Sequence, residues 1–445
     1  MLFKLENWLK NRSSLLLVSL ALLGSCSDDP QKQPATADTF PSDLVTDWID
    51  LQLLYAKESP GFTPPIVSRA FGYCGLAVYE SIVHGTTNRQ SLVGQLTDLN
   101  YLPSPDASKE YHWALSANAA AARITARLFE NAPAPLLYKI DSLEAAYQEL
   151  FQNVSADVAE RSVLFGQAVA DSVYGYSKTD GGHKAFNRNF PASYVPPVGP
   201  GLWAPTNSQL ALLPFWGNNR TFIKNLKTIV TTQGFPTFST DPASAFYAEA
   251  NTVYQAGQNV TVEQETIAYY WADEGFVTFT PPGHSLCIFS QLVSQGNFNL
   301  ASAAEGYVKM GIAVADAFVY CWKVKYTHNL LRPSQYIQPN IDALWTPLIP
   351  NPPFPEYSSG HSTQSASASK ILASLFGESF AFTDLTHTRL SLGLAPRSFS
   401  NFYEMAEEAG QSRIYAGIHF PSGNQQGRLS GYAIGEQVLA LDFIK

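Results

Sequence analysis

Apolar residues at helical spacing, with few alternating stretches to rival them, constrain this chain more than any other feature. Val158, Phe165, Val169 and Tyr176 recur at intervals of seven, four and seven, which places them on one stripe of a helix. Thr261-Val-Glu-Gln264 and Ser302-Ala-Ala-Glu305 are capping-box patterns, and the second should open a helix running to about Leu331. The alanine-rich stretch from Asp106 to Phe129 and the stretch from Gln426 to Phe443 also suit helices. The expected fold class is therefore all-α. Two breaks, 179–260 and 333–360, are rich in Pro, Gly, Asn and aromatics and predict long ordered loops, where functional residues concentrate.

Hydrophobic residues make up 45% of the 445 and charged residues only 15%, so the chain can bury a large core and is not disordered as a whole. Cys74, Cys287 and Cys321 are widely spaced in apolar surroundings and suit neither a disulfide framework nor a CxxC metal site. They read as small buried hydrophobes. A formal net charge of −9 argues against nucleic acid as a partner, which demands a basic face. The N-terminus has its own logic. Lys4, Lys10 and Arg12 precede an apolar run from Ser13 to Leu23, too short to span a bilayer comfortably. It ends in Leu23-Gly24-Ser25-Cys26, which resembles a bacterial lipoprotein box. The expectation is a signal peptide over 1–25, lipidation of Cys26, a polar tether over 26–40 and a helical catalytic body over 41–445. Cleavage would remove three basic residues and one acidic one, moving the formal charge from −9 to −11. The protein would then be a cell-envelope lipoprotein, periplasmic or on the outer surface, or else exported, touching membrane only through its anchor.

Three motifs carry chemistry. In Lys325-Tyr-Thr-His-Asn-Leu-Leu-Arg332-Pro333, the seven-residue spacing predicts two cations on one helix face, about 10 Å apart along the axis, with Trp322 on the same face. Pro333 biases that helix to end at Arg332. In Phe354-Pro-Glu-Tyr-Ser358-Ser359-Gly360-His361, a hydroxyl, free N–H groups and a helix N-terminus form an anion site with an imidazole beside it. In Ser412-Arg413-Ile-Tyr-Ala-Gly-Ile-His419, the spacing of six does not share a helix face, so cooperation of Arg413 with His419 requires a break near Gly417.

Together, Lys-x6-Arg-Pro, Ser-Gly-His and Ser-Arg-x5-His resemble the three-part motif of the vanadium-dependent haloperoxidases, within the superfamily of type 2 phosphatidic acid phosphatases. Trp271-Ala-Asp-Glu-Gly275 and Thr280-Pro-Pro-Gly-His284 add a looser likeness to the bacterial branch, and the lipoprotein signal and aromatic pocket resemble flavobacterial iodoperoxidases. The resemblance implies vanadate as cofactor, bound by Lys325, Arg332, Ser359, Gly360, His361, Arg413 and His419. Within that set His419 bonds the metal and His361 acts as acid–base group. It further implies hydrogen peroxide and a halide as substrates, iodide first and bromide second, with small organic acceptors possible and V(V) acting as a Lewis acid. Trp322 and Phe354 fall where haloperoxidases carry aromatic halide-pocket residues. Glu274 is a candidate partner for one of the arginines, while His284 reads as a structural histidine.

One position departs from the pattern. The family carries an Asp four residues after the metal-binding histidine, and this chain has Gly423. The expected substitutes for orienting His419 are Asn424 or a backbone carbonyl. The same residues could instead serve an acid phosphatase working through a phosphohistidine. A third reading, an oxyanion-binding lipoprotein with weakened catalysis, is motivated by Gly423 alone. Because Lys325 and His419 are 94 positions apart and must meet, one large domain is expected.

Overall fold

The computed structural model describes residues 35–206 and 208–445. The expected signal peptide and the expected lipidation site at Cys26 lie outside the described residues. The first described turn, Ala37–Thr39, already belongs to the body: Ala37 is buried, and the Phe40 carbonyl accepts the Leu300 N–H at 2.8 Å.

In chain order the helices are α1 (Asp43–Glu58), α2 (Pro64–Glu80), α3 (Trp113–Leu128), α4 (Ala134–Leu150), α5 (Ala156–Ser177), α6 (Leu226–Ile229), α7 (Ala245–Gln258) and α8 (Val262–Tyr270). They continue with α9 (Thr280–Gln295), α10 (Leu300–His328), α11 (Pro333–Asn340), α12 (Gly360–Phe376), α13 (Thr386–Leu390), α14 (Phe402–Tyr415) and α15 (Pro421–Leu439). The β-strands among the described residues form one short antiparallel pair, β1 (Phe382–Asp384) and β2 (Arg397–Phe399), with Phe382 opposite Phe399. The all-α expectation holds, and the helical stripe of Val158, Phe165 and Val169 is the buried face of α5. No described helix is long and apolar enough to cross a membrane.

The 29 residues of α10 form the central pillar, buried nearly throughout and packed along α2 and α12. Its N-cap is Asn299, not Ser302. The Asn299 side chain accepts the Ser302 N–H at 2.9 Å, and Ser302 Oγ accepts the Asn299 N–H at 3.0 Å. Asparagine is at least as good a cap as serine, so the box forms three residues upstream of the expected one. Glu305 is thereby released to bind Arg89 at 2.8 Å. The second predicted box, Thr261 with Gln264, forms as expected at the start of α8.

Helices α12 and α15 meet through a run of small residues. Gly427, Gly431 and Gly435 recur every four positions on α15, so they share one face. A β-carbon at Gly427 would lie 2.7 Å from the Ser359 carbonyl, and one at Gly431 would overlap the Thr363 carbonyl. The two backbones therefore touch where any other residue would hold them apart. This contact sets the segment before α15, which carries His419, beside the start of α12, which carries Ser359, Gly360 and His361.

Candidate functional site

The first motif reaches its geometry by a different route from the one its spacing suggests. Helix α10 ends at His328, because Asn329 takes a left-handed conformation (φ 46°) and donates its N–H to the Lys325 carbonyl at 2.8 Å. Arg332 is extended and serves as N-cap to α11, with Pro333 at its first position. Lys325 and Arg332 thus do not share a helix face. The chain turns between them, and both side chains run to the Phe354–Glu356 segment. Lys325 Nζ donates to the carbonyls of Pro355 (3.0 Å) and Glu356 (2.8 Å). Arg332 donates through Nε (3.0 Å) and Nη2 (2.9 Å) to the Phe354 carbonyl.

The second motif forms as expected. Ser359 is the N-cap of α12, its Oγ accepting the Ser362 N–H at 3.4 Å. The first N–H groups of the helix, beginning with Gly360, have no intrahelical acceptor and are available to an anion. In the third motif α14 stops at Tyr415, and Gly417 takes φ +76°, a conformation that costs a glycine little. The expected break is real. It turns His419 into the interior beside Arg332, whose Nη1 lies 3.2 Å from His419 Nε2 and donates to the Ile418 carbonyl at 2.8 Å.

Lys325 and Arg332 are 0% exposed, Arg413 1% and His419 2%. Burial pushes Lys325 down to about 8 and both arginines down to about 10. Burial first, then the neighbouring Arg332, Lys325, His361 and Arg413, hold His419 far below the ordinary histidine range and keep it neutral. That set of neighbours shows the three motifs converging on one imidazole. His361 is also pulled down, by burial and then by Arg413. Its ring bonds the Trp271 backbone, while its Nε2 is shielded and has no partner.

Two buried carboxylates face the three cations. Asp273 faces Arg413 and His361, and Glu356 faces Lys325 and Arg332. Burial raises Glu356 to about 7; with it ionised, and with His284 and Asp384 behind Asp273 counted, four cations stand against three carboxylates, a formal surplus of one positive charge that a small oxyanion would neutralise. Trp322 and Phe354 flank this group with ring centroids 5.0 Å apart, and Phe354 has Lys325 Nζ at 5.0 Å and the Arg332 guanidinium at 4.9 Å.

Sequence reasoning missed both carboxylates. Glu274 is exposed, and its neighbour Asp273 points inward instead, at φ 47°. Glu356 lies inside the second motif, between Pro355 and Tyr357, where an acidic residue among apolar neighbours was the available signal. It binds His419 Nδ1 at 2.6 Å. Asn424, the expected substitute, is engaged elsewhere, donating to the Gly410 carbonyl at 2.6 Å and accepting from Ser362 at 3.2 Å. His284 is structural, as expected, clamped between Asp273 (3.0 Å) and Asp384 (2.7 Å). The three described cysteines are buried and free.

A helical body that gathers three cations, a capped helix N-terminus and a neutral imidazole has the donor set that a small oxyanion requires. The VCPO second helical-bundle domain matches residues 306–443, the stretch that holds all three motifs. The structure of a bacterial vanadium-dependent iodoperoxidase is similar with a TM-score of 0.81 and 30% identity, over 94% of this chain and 98% of that one. The chain belongs to the vanadium-dependent haloperoxidase family. A holo-type bacterial vanadium-dependent chloroperoxidase shares the fold at a TM-score of 0.64 and 12% identity, over 86% of this chain and 93% of that one. No curated protein sequence matches the chain.

Proposed function

We propose that this protein is a vanadate-dependent peroxidase that oxidises iodide with hydrogen peroxide, accepting bromide less readily. The observation that carries the reading is the buried cluster of Lys325, Arg332 and Arg413 around a neutral His419. The donor set fits a tetrahedral oxyanion: Lys325, Arg332 and Arg413 supply charge, Ser359 Oγ and the Gly360 N–H supply neutral donors, and His419 Nε2 offers a lone pair. Bound vanadate would supply Lewis acidity toward peroxide. Around it, His361 Nε2 is buried and unpartnered in a neutral ring, so it is the nitrogen placed to take a proton from incoming peroxide and return it to product. Trp322 and Phe354 give the halide a dry, polarisable wall, which suits iodide best. The similarity to an iodoperoxidase supports the same halide. We further propose that Cys26 is lipidated and the body tethered to the cell envelope.

The test is triiodide formation from iodide and peroxide. The signal should require vanadate and vanish in His419→Ala. Robust phosphatase activity with no vanadate-dependent triiodide would overturn the reading. The acid phosphatase remains the second reading because of one observation: a carboxylate on His419 Nδ1 with a lone pair at Nε2 is also the arrangement of a histidine nucleophile. The third reading, an oxyanion-binding protein with weakened catalysis, is less favoured because Glu356 stands beside His419 where Gly423 carries no side chain.

A further inference from the structure

We propose that Glu356 is the positioning residue for His419 and that Gly423 exists to let it in. The carboxylate that the family pattern carries four residues after this histidine would be supplied here from 63 residues upstream. The proposal rests on reading His419 as the group that bonds the oxyanion's central atom.

Four observations carry it. Glu356 Oε1 lies 2.6 Å from His419 Nδ1 and also accepts the Phe420 N–H at 3.0 Å, so the oxygen is fixed from two directions. A β-carbon at Gly423 would run into that carboxylate. The backbone there cannot easily withdraw, because the Gly423 carbonyl accepts the Ser359 N–H at 3.0 Å and retreat would pull on α12. Position 356 and position 423 therefore exclude one another: either Glu356 occupies the space or a side chain at 423 does. The fourth observation concerns the other face of the ring. Arg332 Nη1, a donor, sits 3.2 Å from His419 Nε2. A carboxylate at Nδ1 and a guanidinium at Nε2 select one tautomer, with the proton on Nδ1 and the lone pair on Nε2. The same residue also anchors the cations. Its N–H donates to the Leu330 carbonyl at 2.9 Å and its carbonyl accepts from Lys325 Nζ at 2.8 Å, so Glu356 couples the ring of His419 to the Lys325–Arg332 turn.

The alternative is that Glu356 merely offsets buried positive charge. Two readouts separate the roles: vanadate affinity by titration calorimetry, and the His419 tautomer by nitrogen NMR on histidine-labelled, oxyanion-free full-length protein. Glu356→Ala should weaken vanadate binding about 10- to 100-fold and abolish the pure Nδ1–H signature. Glu356→Gln keeps an acceptor without the charge, so it should retain the tautomer and most of the affinity. Gly423→Asp alone should bind poorly, whereas Glu356→Ala combined with Gly423→Asp should regain affinity over either single variant. Wild-type affinity and tautomer in Glu356→Ala would overturn the proposal, as would loss of the tautomer in a folded Glu356→Gln protein. A folded double variant no better than the singles would overturn the exchange with Gly423. Should Glu356→Ala not fold, the glutamine variant decides alone. The tautomer is read without vanadate, so a protein that fails to bind vanadate refutes the proposed function and leaves this test standing.

Discussion

His361 and His419 carry the same side chain and are both held neutral, yet their two ring nitrogens are used in opposite ways. His419 has both engaged, Nδ1 by Glu356 and Nε2 by Arg332, which suits a ligand whose lone pair must be aimed. His361 has one nitrogen on the Trp271 backbone and Nε2 without a partner, which suits a group that picks up and releases a proton. The two should therefore fail differently. His361→Ala is expected to keep vanadate affinity within about tenfold of wild type while kcat for iodide oxidation falls roughly 10²- to 10⁴-fold, the ordinary worth of a positioned acid–base group. Calorimetry beside steady-state kinetics checks this. An affinity loss as large as that of His419→Ala would make His361 a binding residue instead.

At the scale of elements, the site depends on where helices stop. The break between Arg413 and His419 was legible because a spacing of six cannot share a face and Gly417 marks where the chain can turn. Pro333 points to a stop of α10 at Arg332, but Asn329, four residues before that proline, already ends the helix by turning left-handed. The three motifs could be read as a set because each is local. Glu356 could not, because its partner is 63 residues away and its relevance appears only when Gly423 is seen to leave space for it. Helices α6, α7 and α11 lie inside stretches whose Pro and Gly content suggests loops. The glycine face of α15 invites a test at this scale. Gly431→Ala would push a methyl into the Thr363 carbonyl and should cost about 1–3 kcal/mol as α12 and α15 separate, with vanadate affinity falling as well. Gly175→Ala on α5, where a β-carbon meets nothing within 4 Å, is the control and should be neutral or stabilising by up to about 1 kcal/mol. Thermal unfolding of both variants decides whether close helix approach, rather than glycine content, sets stability.

Over the whole molecule, the acidic average conceals both the cationic pocket and a buried ionic array behind it. Asp273 follows α8, His284 lies on α9 and Asp384 ends β1, so their contacts join three separate stretches of chain. Tyr270 donates to Asp384 at 2.8 Å, and Trp271 stacks on the His284 ring at 4.7 Å. Because Asp273 also faces Arg413 and His361, this array is the floor on which the third motif rests. Burial alone would lower the proton affinity of His284, but Asp273 and Asp384 outweigh it and raise the histidine to about 10. Asp384 is held down at about 2, its burial outweighed by His284. The signs follow. The raised histidine contributes stability that is complete below its unfolded value of about 6.5 and is lost as pH rises through about 10. The depressed aspartate contributes stability that is complete above its unfolded value of about 3.9 and is lost as pH falls through about 2. His284→Gln removes the alkaline component while keeping a polar side chain of similar reach. The difference in Tm between wild type and this variant should be widest near about pH 6 and should narrow steadily toward about pH 10.5, because only the wild type has a proton to lose there. A difference that stays constant over that range would mean that His284 is neutral in the folded protein, that the array is held by hydrogen bonds without an ion, and that the floor beneath Arg413 carries one more uncompensated negative charge than the geometry implies.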